Sequence, residues 1–161
     1  MSIELLQLLL LIIIANGAPI ITRQWLNDRF SYAVDLDHDL ADNNRIFGPS
    51  KTWRGIISSL FATPVVAVLL GCSVETGLMV AVYSVIGDLF SSFIKRRLSM
   101  AASSMAPLLD QIPESFIPAF MMRQTFNLDI LSVIWLVLIF ITIELLLSHI
   151  LYKWGVRKRP Y

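Results

Sequence analysis

The sequence predicts an all-α, polytopic membrane protein with about five transmembrane helices. Three observations carry that expectation. The chain is 56% hydrophobic with a mean hydropathy of +0.69. Its apolar residues come in runs long enough to cross a bilayer, and the charged 16% is gathered into a few short patches. Formal net charge is +1, so overall charge gives no pull toward nucleic acid. The single cysteine, Cys72, excludes an internal disulfide.

Residues Ile3 to Ile21 are the first apolar run. Ala15-Asn16-Gly17 resembles a signal-peptide cleavage site, but no Lys or Arg precedes the run and Glu4 does, the reverse of a signal's basic start. A retained helix is expected, broken or kinked near Gly17-Ala18-Pro19. Residues Thr22 to Gly55 form a polar loop carrying Arg23, Arg29, Arg45, Lys51 and Arg54, with Asp35, Asp37, Asp39 and Asp42 close together. A loop of that length between spans is more often functional than idle. Gly48-Pro49 reads as a turn, and Ser50 or Thr52 as the cap of the next helix.

Ile56 to Gly71 is the second run, and the short turn CSVETG leads to a third from Thr76 to Ile94. Leu98 to Leu109 is a loop of small residues ending at Asp110. Ile112 to Met122 is apolar but short, with Glu114 and two prolines, and reads as a tilted or partly re-entrant fourth span. Ile130 to Trp154 is the last span, followed by the basic tail GVRKRPY. Five spans with the amino terminus outside put every Lys and Arg except Arg123 on the cytoplasmic side, along with the carboxyl terminus. Four spans would export either the tail or the Lys95-Arg96-Arg97 cluster.

Asp88 is the residue hardest to explain as structure. It lies nine positions before Arg97, roughly 13 Å below a basic helix end at 1.5 Å per residue. A carboxylate at that depth costs several kcal/mol unless it is paired or wetted. Ser84, Ser91, Ser92 and Lys95 fall on its helix face, and Gly87 beside it permits close approach by a backbone or ligand. Asp110, across the basic cluster, is a second candidate acid. Together the two could bridge a hard divalent cation, and the nearby Lys and Arg suit phosphate oxygens. The chemistry indicated is phosphoryl or nucleotidyl transfer, which needs positioning, metal and cationic stabilisation rather than a side-chain nucleophile. Simpler roles exist for the rest. The basic cluster also serves as a positive-inside anchor, Asp110 as a helix cap, residues 35–42 with His38 as a solvated loop, and Glu144 as a helix-packing residue. A small transporter or non-catalytic scaffold using the same acids is the competing class, though no internal repeat is present.

Three stretches, NRIFGPSKTWRG, GDLFSSFIKRRL and APLLDQIPE, resemble in order and spacing the CDP-archaeol synthase family. That family is the short relative of the phosphatidate cytidylyltransferases, or CDP-diacylglycerol synthases. The resemblance implies one membrane-embedded cytidylyltransferase-like domain over residues 1–161. It further implies Mg²⁺-dependent transfer of CMP from CTP to a membrane lipid phosphate at the cytoplasmic face of the cell membrane, with release of pyrophosphate. By position, Asp88 and Asp110 would be the metal-linked acids, and Lys95 would join them in catalysis. Ser92, Lys95 and Arg96 fall on an S-x-x-K-R element that would contact phosphates, and Lys51, Thr52 and Arg54 on a K-T-W-R-G element. Asp35 matches an acidic residue of the family, but Ala33 stands where a proline is usual. Asn43 and Ser99 replace glycines. The partners implied are CTP, the lipid phosphate and the bilayer, without nucleic acid; a homodimer is left open.

Overall fold

The computed structural model describes residues 2–27, 29–101, 104, 106 and 108–153. The basic tail from residue 154, and with it the expected end of the last helix at Trp154, lies outside the described residues. Five helices follow in chain order: α1 (Ile3–Leu26), α2 (Trp53–Leu69), α3 (Val74–Arg97), α4 (Gln111–Met121) and α5 (Ile130–Lys153). Of these, α1, α3 and α5 are long and apolar enough to cross a membrane. Helix α2 is a shorter apolar helix of 17 residues, and α4 has 11. At 1.5 Å per residue α4 is roughly 16 Å long, about half of a hydrocarbon core.

Local chemistry starts three of these helices. Ser2, Thr52 and Ser73 accept hydrogen bonds from the backbone N–H of Leu5 (3.3 Å), Gly55 (3.3 Å) and Thr76 (3.1 Å), satisfying donors that have no partner inside the helix. Thr52 is therefore the cap expected at the start of α2. Asp110 makes no such cap to α4.

Of the break or kink expected near Pro19, the break does not occur: helix α1 is continuous through Pro19. Proline lacks an N–H, so the carbonyl of Ala15, four residues earlier, loses its helical partner. The buried Ser59 hydroxyl of α2 donates to that oxygen at 2.6 Å. One residue on a neighbouring helix thus replaces the bond that the proline removed, and the helix continues to Leu26.

Sequential helices pack side by side, with α1 also against α3, while α1 touches α4 and α5 only lightly. Leu8, Leu11 and Ile12 of α1, Val80 of α3 and Val133, Leu136 and Phe140 of α5 are fully buried and form the core. The outer faces carry Phe61, Leu69, Leu131, Trp135 and Leu146, an apolar exterior that fits hydrocarbon. Two glycines let α3 pack closely. A Cβ on Gly77 would lie 2.5 Å from the Pro64 Cα of α2, and one on Gly87 would lie 2.3 Å from the Pro113 carbonyl oxygen of α4. The approach that Gly87 permits is thus made by the α4 backbone.

The α1–α2 loop is tied down at both ends. Val34 N–H donates to the Lys51 carbonyl (2.9 Å) and Trp53 N–H to that of Tyr32 (3.0 Å). Arg97 clasps the loop from α3, pairing with Asp42 at 2.9 Å and donating to the carbonyls of Asn44 and Arg45 at 3.1 and 2.6 Å. Asn43 and Ser99, which the resemblance would set in place of glycines, both have left-handed backbones, with φ of 55° and 53°. The conformation is the one glycine adopts without cost. Asn tolerates it better than Ser. Ser99→Gly is expected to raise stability by about 1 kcal/mol, seen as a higher melting temperature in detergent. The 3.4 Å contact from Asn44 to the Ser99 hydroxyl is exposed and offsets little of that gain.

Candidate active site

The loose junction between α1, α4 and α5 leaves a cavity of about 940 Å³. Its walls differ in character. Helix α1 contributes Ile13 to Ile21 with Arg23 and Gln24, while the start of α2 with the extended segment before it, α3, the loop after α3 and α4 supply further polar and charged groups. Lys51, Thr52, Arg54, Asp88, Ser92, Lys95, Arg96 and Asp110 all line it. Residues far apart in sequence thus meet in one chamber. Asp35 is the exception.

The acids and lysines are paired crosswise. The Lys51 ammonium, on the extended segment leading into α2, forms an ion pair with Asp88 of α3. Lys95 of α3 pairs with Asp110 at 2.7 Å and also donates to the Ser104 carbonyl at 3.3 Å. The second Asp110 oxygen accepts from the Ala106 N–H at 3.2 Å. Asp110 therefore ties the loop to α3 rather than capping α4. Burial alone would lower the Lys51 ammonium, but Asp88, with Glu114 and Asp110 beyond it, outweighs that and raises it above its usual value.

The arginines are more constrained. Arg54 donates to the carbonyls of Asn27 (2.8 Å) and Arg29, so it holds the end of α1 against α2 while facing the cavity. Arg96 donates to the Ala101 carbonyl at 3.0 Å and lies against Gly48. Along α3 the expected hydroxyl stripe divides. Ser91 turns back to donate to the Asp88 backbone carbonyl at 3.0 Å, Ser84 is buried one turn deeper, and Ser92 faces the cavity.

Asp35, expected beside the substrate, does not line the cavity. Its side chain is wholly buried and committed to its own loop. It pairs with Arg45 and accepts from the N–H groups of Phe47 (3.1 Å) and Gly48 (2.8 Å). Desolvation by itself would raise this carboxyl, but the Arg45 guanidinium and the two amides reverse that and hold it well below the usual carboxylate range. Asp35 shapes the stretch that delivers Lys51.

Two further cavity acids were not among the expected site residues. Glu114 of α4 lines the chamber and interacts electrostatically with Asp88, and Glu144 of α5 also lines it. Glu144 is therefore a wall residue of the cavity rather than a packing residue alone. The spacing of Asp110 and Glu114, four apart, was the available signal for Glu114, since it sets both on one helical face.

No group of three or more His, Cys, Asp or Glu side chains converges into a ready metal cage among the described residues. Mg²⁺ does not require one, because it is usually held by one or two carboxylates together with substrate phosphates and water. Asp88 and Asp110, both facing the chamber, fit that donor chemistry.

Comparison with known proteins points the same way. Residues 70–161 match the family described as CarS-like, CDP-archaeol synthase, and residues 25–105 match the Cytidylyltransferase family. A CDP-archaeol synthase of Staphylothermus marinus is 26% identical over 158 residues, covering 92% of this chain and 86% of the relative. One from Sulfolobus acidocaldarius is 29% identical over 157 residues, covering 92% and 91%. A solved structure of an intramembrane enzyme for archaeal membrane lipids biosynthesis superposes with a TM-score of 0.78 at 23% identity, over 89% of this chain and 91% of that one. At that identity the superposition speaks for the fold.

Proposed function

The chain belongs to the CarS-like family of CDP-archaeol synthases, and from that membership we infer that it activates a membrane lipid phosphate to a CDP-lipid at the expense of CTP. It is a CTP-dependent nucleotidyltransferase of the membrane, and the transporter or scaffold reading falls away. The observation that carries the assignment to this cavity is the meeting of the three motif stretches there, two carboxylates each facing a lysine.

An oxygen of the lipid phosphate attacks the α-phosphorus of CTP. The bond from that phosphorus to the oxygen bridging to the β-phosphate breaks, and pyrophosphate leaves with that oxygen. No covalent enzyme intermediate is needed, and no side-chain nucleophile is invoked. Asp88 and Asp110 would hold Mg²⁺, whose chemistry when bound is to neutralise triphosphate charge as it shifts toward the leaving group. Lys95 and Arg96, at the end of α3, are placed to take the departing pyrophosphate charge, and Lys51 to take phosphate oxygens once it leaves Asp88. Ser92 and the Thr52–Gly55 turn border the same space. Arg54 keeps the α1–α2 wall closed. The apolar residues that α1 and α5 bring to the cavity, among them Ile13, Ile14, Phe140 and Ile143, suit the lipid's proximal chains.

The membrane arrangement proposed is five crossings, with α4 and the turn at residues 122–127 completing the fourth. The amino terminus is outside and the active site faces the cytoplasm, because that arrangement gathers the cationic residues inside. The whole of residues 1–161 acts as one unit. Whether an isoprenoid ether lipid or phosphatidic acid is preferred is tested with labelled CTP and both lipid phosphates in detergent. Formation of labelled CDP-lipid and pyrophosphate from either supports the reading, and its absence from both rejects it.

A further inference from the structure

We propose that Glu114 joins Asp88 in seating the divalent cation, with the Lys51 ammonium occupying that seat until the cation arrives. The proposal rests on the CTP-dependent reading above and gives a role to the acid that closes the third of the three stretches, APLLDQIPE. Four observations converge on it. Glu114 lines the chamber from α4, one helical turn after Asp110. It interacts electrostatically with Asp88 on the facing helix. The interaction depends on close backbone approach, since a Cβ on Gly87 would lie 2.9 Å from the Glu114 Cα and 2.3 Å from the preceding carbonyl oxygen. Lys51 answers electrostatically to both acids and forms an ion pair with Asp88.

Two carboxyl groups brought together between helices do not both ionise unless positive charge lies with them. The ammonium brings one positive charge to this pair. A divalent cation brings two, and its preference for hard oxygen donors matches the carboxyl groups. Its arrival also releases Lys51 toward the nucleotide phosphates. Asp110, paired with Lys95, would reach the cation through water or phosphate.

The test uses the full-length chain in detergent, without CTP, and Mn²⁺ as a paramagnetic probe whose free concentration is read by electron paramagnetic resonance. Glu114→Gln is expected to weaken Mn²⁺ binding about tenfold or more, the scale on which supporting carboxylates affect metal sites. Lys51→Met, which removes the competitor, is expected to tighten it. Wild-type affinity in a folded Glu114→Gln protein overturns the proposal, as does a wild-type chain that takes up no Mn²⁺. Should Glu114→Gln not fold, Lys51→Met decides alone, and unchanged or weaker binding in it overturns the proposal. CDP-lipid formation by the same wild-type preparation separates the two levels. No product removes the enzymatic reading, whereas unaltered Mn²⁺ affinity in an active preparation removes only the role of Glu114.

Discussion

Asp88→Asn is expected to lower CDP-lipid formation by about 10²–10³-fold, because a metal-linked charge at a phosphate site stabilises the transition state by several kcal/mol. The substitution keeps the shape of the side chain and its capacity to accept from Lys51, so the chain should still elute as a folded species. Labelled CTP and a lipid phosphate in detergent give the rate directly. The loss should fall on turnover more than on CTP affinity, since the cationic groups that grip the triphosphate remain. A rate within a few fold of wild type would detach the carboxylate from the chemistry.

Gly87→Ala should produce the second largest effect, through structure. The added methyl would sit 2.3 Å from the Pro113 carbonyl oxygen and 2.7 Å from its carbon, both backbone atoms that no rotamer change can move aside. Helices α3 and α4 must separate, at a cost of about 1–3 kcal/mol or more. Separation also draws Asp110 away from Lys95 and Glu114 away from Asp88, so activity should fall more steeply than the melting temperature. Gly17→Ala is the matched control, since a Cβ there meets nothing within 4 Å and its helix setting favours alanine. A Gly87→Ala protein with wild-type melting and turnover would show that the close contact is not maintained.

The helices were legible because hydropathy and caps are local signals. Ser73 and Thr52 start helices where small hydroxyl residues precede apolar runs, and the expected spans differ from the observed ones by only a few residues at most ends. Helix α1 runs five residues past Ile21 because Thr22 to Leu26 needs no apolar surroundings to stay helical. Its continuity through Pro19 could not be read, since the remedy comes from Ser59, forty-four residues from the Ala15 carbonyl it satisfies. The cavity's motif residues were legible as a set, because charge inside apolar sequence is costly and so marks a site. Asp35 was not, as an acid in a polar loop looks the same whether it faces a ligand or its own backbone amides. Glu114 was hidden for the opposite reason. It sits in a segment read chiefly for its length, and only the meeting of α3 and α4 brings it to Asp88.

The crosswise pairing of Lys51 with Asp88 and Lys95 with Asp110 makes the chamber electrically self-sufficient before any substrate arrives. Single substitutions therefore confound two losses, because deleting one member strands the other at a cost of about 3–5 kcal/mol where the surroundings are fully buried. These side chains keep some exposure, so the penalty here should be smaller. Removing both members of a pair at once, as in Lys51→Met with Asp88→Leu, should yield a protein that melts higher than either single variant yet turns over no CTP. Robustness and catalysis come apart in that double variant, and the mutual neutralisation of resident charges is what separates them.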